Sequence, residues 1–581
     1  GLNPEASLHS SQPRGGACMA RLAAEMRRGG LALALGAAVA SGSAELPLEN
    51  RSSAGPRAVP HPWRPNIVLF LQDDQDEYLG GWTPMRQAEE LVARRGARAR
   101  NFFIHTPVCC PSRAELLSGR YFHNVRMPTP EGGCMHADTS KVNPSSFAKY
   151  LSQAGYTAGW FGKHLNDCPH EPPPGFDCAT CYWFANNGGD DYEPGGYLNA
   201  TFNDFAGGVP NGGTRYHQKP GVYVADTSGE FAGYTTSIIA NKSIEWVRKV
   251  GRGPRPFFAA VASKGPHVPS TPAPWYADAF RDRSAPRTPD YNASAEQLAN
   301  HHWLIAQQGP ITPEEGRRID ELFRDRWRTL LSVDDAIAGM VGMLSELGVA
   351  NSTYVLITSD HGFNLGQHRL PSCKLNVYDH DIRIPMIVRG PGVGAGARFD
   401  APASNVDIAP TILGLAGLDS YAAEPPMDGR SFAPLIVDPQ DPAVFPATRE
   451  HLRLERSRRP AGQWRNSHLV EYYSLGKVVR TGHLVDDPIS NTYRALRFTS
   501  GGPVGSGNML YAEFTAVEDW NFSAPSFTEI FDLDSDPHQL TNLAASVPAA
   551  VKAQLREQLR ARWECAGEGC EGGREAAALV V

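Results

Sequence analysis

One short segment carries residues whose types and spacing suit the transfer of an anionic group. Cys109 opens the run Cys-Cys-Pro-Ser-Arg-Ala-Glu-Leu-Leu-Ser-Gly-Arg, which fits the pattern C-x-P-S-R-x-x-x-L-S/T-G-R/K. Pro111 suits the first turn of a helix, so Cys109 stands at a helix start, where free backbone amides favour negative charge. The guanidinium of Arg113 offers a rigid fork of donors for an oxyanion. A simpler alternative is a buried cysteine that only packs, but it leaves Arg113 and the Leu-Ser-Gly-Arg ending unexplained.

Two pairs of polar residues offer the ligands of a divalent cation. Asp73 and Asp74 follow one apolar run, and Asp360 and His361 follow another. Three carboxylates favour Ca²⁺, Mg²⁺ or Mn²⁺ over an ion that prefers thiolate, while the imidazole keeps Mn²⁺ and Zn²⁺ open. On its own, an Asp-Asp pair is more often a turn or a helix cap. Together with the second pair and Cys109, it predicts a metal site.

Three further residues are candidates for holding an anion, namely Lys163, His267 and Lys374. Lysine is usually a solvated surface residue, but Lys163 follows an apolar run of the kind that forms a buried strand. With a divalent metal, Arg113 and both lysines set against three carboxylates, the site is net positive. The chain as a whole has a formal net charge of −7, so an anionic substrate has to be held by such a local cluster.

The elements that position these residues alternate between strand and helix. Short apolar runs of strand type cover 66–71, 157–161, 257–262, 354–358 and 385–388, and helical patterns cover 85–95, 112–117, 235–250 and 314–347. This alternation predicts an α/β fold with a large, mostly parallel sheet flanked by helices. Ligand sites in such sheets gather at the carboxyl ends of strands. The polar pairs follow these runs, so we expect residues far apart in sequence to meet there.

The chain is too long for one ordinary core, and its character changes after about residue 440. We predict a leader with a signal peptide over 1–44, a catalytic domain over 60–440 and a smaller C-terminal α+β domain over 441–581. The leader has a short basic head at Met26-Arg27-Arg28, an apolar run over 31–40 and small residues around Ser43. An unstructured Ala/Gly-rich leader is the alternative.

Secretion is also indicated by possible glycosylation and by cysteine usage. Six Asn-x-Ser/Thr acceptors occur, at Asn50, Asn199, Asn241, Asn292, Asn351 and Asn521. Cys565 and Cys570 close a short loop and predict a disulfide. Cys168, Cys178 and Cys181 could bind zinc, but no matching His/Cys pair follows, so disulfides are favoured. We therefore expect an extracellular, cell-wall or periplasmic-space protein.

Composition excludes two classes of partner. The acidic net charge and the lack of a Lys/Arg block argue against a nucleic-acid partner. Beyond the leader, no apolar segment is long enough for a transmembrane helix.

The motif around Cys109 resembles the sulfatase signature, and the chain is similar to sulfatases of the alkaline-phosphatase superfamily from about residue 65 to 544. The stretches at 73–77, 162–166 and 379–385 resemble N-acetylglucosamine-6-sulfatases, whereas 105–124 and 359–370 look more like algal and plant arylsulfatases. The resemblance implies an alkaline-phosphatase-like fold and hydrolysis of sulfate monoesters. It also implies that a formylglycine-generating enzyme oxidises Cys109 to formylglycine, whose hydrate is the nucleophile.

The resemblance also implies roles for the candidate residues. Asp73, Asp74, Asp360 and His361 would bind calcium, with formylglycine 109 as a further ligand. Arg113 would stabilise the hydrate, and Lys163, His267 and Lys374 would hold the sulfate or assist the leaving group. One departure is that many sulfatases have histidine two residues after the lysine, where this chain has Leu165. His164 lies one residue after Lys163, and successive strand residues face opposite sides, which leaves the base of the last step unassigned.

Three alternatives remain at this stage. The substrate could be an aryl sulfate or a sulfated sugar. The enzyme could instead be a phosphonate or phosphate ester hydrolase of the same superfamily. Finally, the chain could be a secreted binder of sulfated glycans without catalysis, although the implied nucleophile, metal ligands and cationic residues are all present.

Overall fold

The computed structural model describes most of the chain beyond its N-terminal region. The described residues are 64–128, 134–166, 169–186, 195–198, 200–212, 217–224, 233–458, 464–474, 477–481, 484–487, 489–515, 522 and 524–570. The predicted leader at 1–44, Cys168 and the acceptors Asn50, Asn199 and Asn521 lie outside these residues.

The strands, in chain order, are β1 Asn66–Gln72, β2 Ala97–Ala99, β3 Phe102–Phe103, β4 Thr157–Lys163, β5 Tyr182–Asn186, β6 Thr201–Ala206, β7 Val209–Pro210, β8 His217–Lys219, β9 Val222–Val224, β10 Phe257–Ala262, β11 Thr353–Ser359, β12 Met386–Arg389, β13 Ala397–Phe399, β14 Ala403–Ser404, β15 Ser467–Tyr472, β16 Lys477–Thr481, β17 Leu484–Asp487, β18 Thr492–Phe498, β19 Met509–Thr515 and β20 Phe527–Asp532.

The α-helices span Arg86–Leu91, Cys109–Ser118, Phe122–Val125, Thr139–Ser145, Phe147–Gln153, Gly195–Leu198, Thr235–Val250, Ala295–Leu298, Trp303–Ala306, Pro313–Glu346, Asp379–Ile382, Ile408–Leu415, Ala433–Ile436, Pro446–Arg458 and Ala549–Trp563. Short 3₁₀ turns lie at Ala93–Arg95, Pro274–Tyr276, Ala350–Ser352, Asn405–Asp407, Ser420–Ala422, Ile489–Asn491 and Gly567–Cys570.

The large sheet is built around five parallel strands in the order β11-β1-β10-β4-β5. Antiparallel neighbours extend it on both sides: β12 pairs with β11, and β6 pairs with β5. The sheet is therefore parallel at its centre and mixed at its edges. The predicted α/β architecture is confirmed, and all five predicted strands are present.

Both faces of the central strands are covered by helices, which explains why these strands read as continuous apolar runs. In β1, Ile67, Leu69 and Leu71 belong to the core cluster on one face, together with residues of the helix Cys109–Ser118. Val68 and Phe70 belong to the cluster on the other face, with residues of the helices Thr235–Val250 and Pro313–Glu346. The alternation along β1 thus places the helix of Cys109 on one face only.

A separate antiparallel sheet lies in the C-terminal part of the chain, in the order β15-β18-β19-β20. One of its faces contributes to a core cluster shared with the segment that precedes β12, and the helix Ala549–Trp563 packs on the other. This agrees with the predicted smaller α+β unit. The boundary near residue 440 stays a prediction.

Within the described residues three disulfides are formed, Cys110–Cys134, Cys178–Cys181 and Cys565–Cys570. The predicted Cys565–Cys570 bridge is confirmed, and Cys178 and Cys181 pair with each other. Among the described acceptors, Asn241 and Asn351 are exposed and Asn292 is half-buried. Within the described residues, every helix is too short or too polar to cross a lipid bilayer.

Candidate active site

Two neighbouring parallel strands bring three carboxylates and an imidazole to one edge of the sheet. Asp73 and Asp74 directly follow β1, and Asp360 and His361 directly follow β11. The backbone N–H of Asp74 donates to Asp360 Oδ1 over 3.0 Å, and His361 Nε2 lies 3.3 Å from Asp74 Oδ1. All four side chains are fully buried. The two polar pairs therefore lie in contact with each other, as expected from the sequence.

Cys109 is the first residue of the helix Cys109–Ser118, and its side chain points into this cluster. Its Sγ lies 3.3 Å from His361 Nε2. One potential ligand atom from each of Asp73, Cys109, Asp360 and His361 falls within 4.8 Å of all the others. Burial raises the pKa of the Cys109 thiol, although two nearby lysines oppose the shift. The side chain of residue 109 is thus held at one edge of the carboxylate cluster.

Each carboxylate of the cluster has its own cation. Lys163 Nζ donates to Asp73 Oδ2 over 2.7 Å, and Arg113 Nε donates to Asp360 Oδ2 over 2.8 Å. Lys374 Nζ donates to both oxygens of Asp74, at 2.8 and 2.9 Å. One-to-one pairing of this kind makes it possible to bury three acidic side chains together.

The cations also set the protonation of two carboxylates. Burial alone would raise the pKa of Asp73, but Lys163, His267 and Arg113 hold it well below its usual range. Burial likewise opposes ionisation of Asp74, yet Lys374 and two histidines lower its pKa to about 2. His267 lies beside these two carboxylates. One of its ring nitrogens is within 4.8 Å of an oxygen of Asp73, an oxygen of Asp74 and Cys109 Sγ. Both carboxylates are ionised at neutral pH.

The donor set fits a divalent metal ion. Asp73 Oδ1 is buried and, within the described residues, receives no hydrogen bond, although Arg113 Nη2 lies 3.5 Å away. Carboxylate oxygens together with one imidazole suit a hard divalent cation. The side chains of Asp73, Asp74, Asp360 and His361 can therefore hold such an ion.

Comparison with known proteins decides the family. A family profile described as Sulfatase matches residues 65–418, which is more than half of the chain. The chain belongs to the sulfatase family. It is accordingly a sulfuric ester hydrolase, of a family that generally uses a formylglycine and a divalent metal.

Relatives of this sulfatase act on sugar and aryl sulfates according to their names. N-acetylglucosamine-6-sulfatase of Capra hircus is 32% identical over 534 residues, which cover 88% of this chain and 85% of that protein. An arylsulfatase of Volvox carteri is 28% identical over 548 residues, covering 87% of this chain and 76% of that protein. A solved structure of a protein in complex with its substrate D-glucosamine-2-N,6-O-disulfate has a TM-score of 0.59 and 21% identity. It covers 86% of this chain and 97% of its own and shows the shared fold.

The histidine after Lys163 does not take part in the cluster. The ring of His164 packs edge-on against Trp160 and Trp183, with ring centroids 4.8 and 4.9 Å away. Burial among these rings, together with the charge of Arg113, lowers the pKa of His164 to about 3. His164 is therefore a neutral packing residue in this sulfatase, and the base of the last step stays unassigned.

Arg326, which is not among the residues predicted from the sequence, anchors the loop that carries Asp73 and Asp74. Arg326 Nη2 donates to the backbone oxygen of Asp74 over 2.7 Å and to Asp76 Oδ1 over 2.8 Å. Asp74 needs such support because its φ of 71° lies in the left-handed region, which is costly for a residue other than glycine. The signal was present, because Arg326 stands on the apolar stripe of its helix, between Phe323 and Leu330.

Proposed function

We propose that this sulfatase hydrolyses a 6-O-sulfate of a glucosamine-type sugar, using a formylglycine made from Cys109 and a calcium ion. The main observation that supports this active site is the position of Cys109. It stands at a helix start, and its Sγ lies 3.3 Å from His361 Nε2. A helix start is suited to a group that must hold negative charge beside a sulfate. The sugar is favoured because the N-acetylglucosamine-6-sulfatase relative is more similar to this chain than the arylsulfatase is.

Residue 109, once converted, supplies a hydroxyl of the aldehyde hydrate as nucleophile. Arg113 acts beside it, because its guanidinium is held by Asp360 and by the backbone oxygen of Lys163, which fixes its direction. The converted residue requires a maturation enzyme of the formylglycine-generating type as a partner.

Calcium is proposed for Asp73, Asp74, Asp360 and His361 because three of the four side chains are carboxylates. When bound, a divalent cation stabilises charge on the transferring sulfate. Lys163 and Lys374 would turn part of their donor capacity from Asp73 and Asp74 to the sulfate oxygens, since an ammonium group has three donors. His267 adds a ring nitrogen on the same side of the cluster.

Secretion is proposed from the chemistry of the cysteines. The described residues form three disulfides, one of which joins Cys110 of the helix Cys109–Ser118 to Cys134, and disulfides form and persist in oxidising compartments. The exposed acceptors Asn241 and Asn351 are open to glycosylation there. The predicted location is extracellular, in the cell wall or the periplasmic space.

The substrate is tested by measuring sulfate release from N-acetylglucosamine-6-sulfate, from an aryl sulfate and from an aryl phosphate. We expect the highest kcat/KM for the sugar sulfate and only weak activity on the phosphate. An aryl sulfate turned over better than the sugar would refute the sugar assignment and leave the sulfatase activity intact. Preference for the aryl phosphate would contradict the sulfatase activity itself. Cys109→Ala protein, purified in parallel, is the control for contaminating enzymes.

A further inference from the structure

A second group of potential metal ligands lies outside the active site. It consists of Asp290, His368 and His380, which are all buried, and one ligand atom from each falls within 4.8 Å of the other two. Both histidines belong to the segment between β11 and β12, and Asp290 precedes the long helix Pro313–Glu346. None of the three touches the carboxylate cluster of the active site according to the contacts of the described residues.

The outer nitrogen of each ring is fixed by an acceptor. His368 Nε2 lies 3.2 Å from the backbone oxygen of Gln539, and His380 Nδ1 lies 2.8 Å from Asp381 Oδ1. A carbonyl oxygen only accepts, so the proton of His368 sits on Nε2. Asp381 also accepts from the backbone and side chain of Asn376, as an ionised carboxylate does, so the proton of His380 sits on Nδ1. Metal-binding histidines are oriented by outer partners of these two kinds.

The remaining nitrogen of each ring faces that of the other ring, although nearby carboxylates, Asp381 first, raise the pKa of His380 despite its burial. His368 Nδ1 and His380 Nε2 are 3.4 Å apart. In neutral rings with the protons assigned above, both atoms present lone pairs, which repel each other unless a cation lies between them. Two ligands of a tetrahedral zinc ion, each bound at about 2.0–2.1 Å, are about 3.3 Å apart. The observed separation is that of a ligand pair.

We propose that His368, His380 and Asp290 form a zinc site. Asp290 supplies the anionic ligand, and rotation of its carboxylate closes the distance to the two ring nitrogens. Its Oδ1 receives no hydrogen bond within the described residues, and His538 Nδ1 lies 3.4 Å away. Two imidazoles and one carboxylate suit zinc better than calcium, and the fourth position is left for a water molecule.

The proposed zinc ion fixes the position of the segment that contains Lys374. His368 lies before Lys374 and His380 lies after it, so one metal ion bridges both sides of the lysine. Asp290 connects this bridge to a different part of the catalytic region, and Gln539 connects it to the C-terminal part. Zinc is therefore a structural ion in this proposal, which holds the segment of Lys374 in place.

The test measures zinc retained per chain after dialysis with excess Ca²⁺, using secreted wild-type protein and four variants. We expect one zinc ion in the wild type and in Asp74→Asn, which alters the active site, and none in His368→Gln or His380→Gln. His302→Gln is the matched control, because His302 is a buried histidine that stacks on Phe514 and is not a member of this ligand group, and it should retain zinc. The loss of affinity in His380→Gln should exceed the about 10–100-fold cost of removing an outer hydrogen-bond partner.

Two outcomes would overturn the proposal. One is wild-type protein that retains no zinc, which would mean that a proton shared by the two rings occupies their gap. The other is His380→Gln protein that binds zinc as tightly as the wild type. If the histidine variants do not fold, the test is the visible absorption spectrum of wild-type protein to which Co²⁺ is added in excess Ca²⁺. The intense visible bands of four-coordinate Co²⁺ support the site, and the weak bands of six-coordinate Co²⁺ or no binding refute it. Neither result depends on sulfatase activity.

Discussion

Glu471 joins the C-terminal sheet to the active-site region through two histidines. It lies on β15, is fully buried, and its Oε1 is 2.8 Å from His105 Nε2. Its Oε2 is 3.1 Å from His123 Nδ1. His105 and His123 stand on either side of the helix that begins at Cys109. Replacing Glu471 by glutamine keeps the shape of the side chain and removes the charge on which both contacts depend.

The expected cost is large because the charges are buried. Breaking a buried ion pair by removing one partner costs about 3–5 kcal/mol, since the other charge stays without compensation. We therefore predict that Glu471→Gln lowers the free energy of unfolding by about 3–5 kcal/mol near pH 5.5, where glutamate is ionised and histidine is protonated.

The loss of unfolding free energy in Glu471→Gln should be smaller at high pH. Burial alone would lower the pKa of His105, but Glu471 and Glu115 raise it above the usual value. Stability from this histidine is thus fully present below about pH 6.5 and is lost as pH rises through the raised pKa. The pKa of Glu471 is lowered by His123 and His105 despite burial, so its contribution is present above about pH 4.5 and is lost as pH falls. Both contributions are complete between these two values.

The assay is urea unfolding of wild type and variant at about pH 5.5 and about pH 9, chosen on either side of the histidine titration. Glu513→Gln is the matched control. Glu513 is equally buried in the same sheet, but it pairs with two arginines, Arg494 over 3.0 Å and Arg556 over 2.8 Å, and arginine as a residue type stays protonated in proteins. Its loss should therefore be the same at both pH values. An equal loss at both pH values for Glu471→Gln as well would refute the reasoning.

Three further predictions concern the active site. Cys109→Ala and Cys109→Ser should both abolish sulfate release while the far-UV circular dichroism spectrum stays that of the wild type; full activity of purified Cys109→Ala would contradict the proposed nucleophile. Removal of divalent metal by a chelator should abolish activity and lower the thermal midpoint, because three buried carboxylates lose a cation, and Ca²⁺ added together with Zn²⁺ should restore both; activity unchanged by chelation would argue against the metal. Arg326→Lys, which replaces the rigid guanidinium donors on the Asp74 loop by an ammonium without a fixed donor direction, should weaken metal affinity in calorimetry by about 10–100-fold. Arg324→Lys, whose guanidinium contacts Glu321 on the same helix, should not; equal affinities would show that Arg326 does not position the loop.

The central part of the fold and the meeting of the candidate residues could be predicted because both depend on local patterns. An apolar run buried on both faces is recognisable in sequence, and parallel strands deliver their last residues to a common edge. Asp73 and Asp360 illustrate this. They follow two paired strands, so strand pairing alone brings them close to each other. The same rule placed Lys163 near them. Cys109 stands at a helix start, and its place beside the aspartates was implied by the resemblance to sulfatases.

The features that could not be predicted depend on contacts between distant parts of the chain. The antiparallel strands at the sheet edges are short and carry no periodicity that distinguishes them from loops, as β8 and β9 show. Cys110 pairs with Cys134, and spacing does not reveal which cysteine lies opposite which. Asp290 meets His368 and His380 only through loop packing. Arg326 was the exception, because a buried position on an apolar stripe can be read from helix periodicity.

The most direct test of the account is the mass of the proteolytic peptide that contains Cys109. Protein secreted by a host that has the maturation enzyme is reduced, alkylated and digested, beside a known sulfatase from the same host. Cys110 should carry the alkyl group after its disulfide to Cys134 is opened, while residue 109 should have the mass of formylglycine. Alkylated cysteine at position 109, with the known sulfatase fully converted, would contradict the proposed nucleophile.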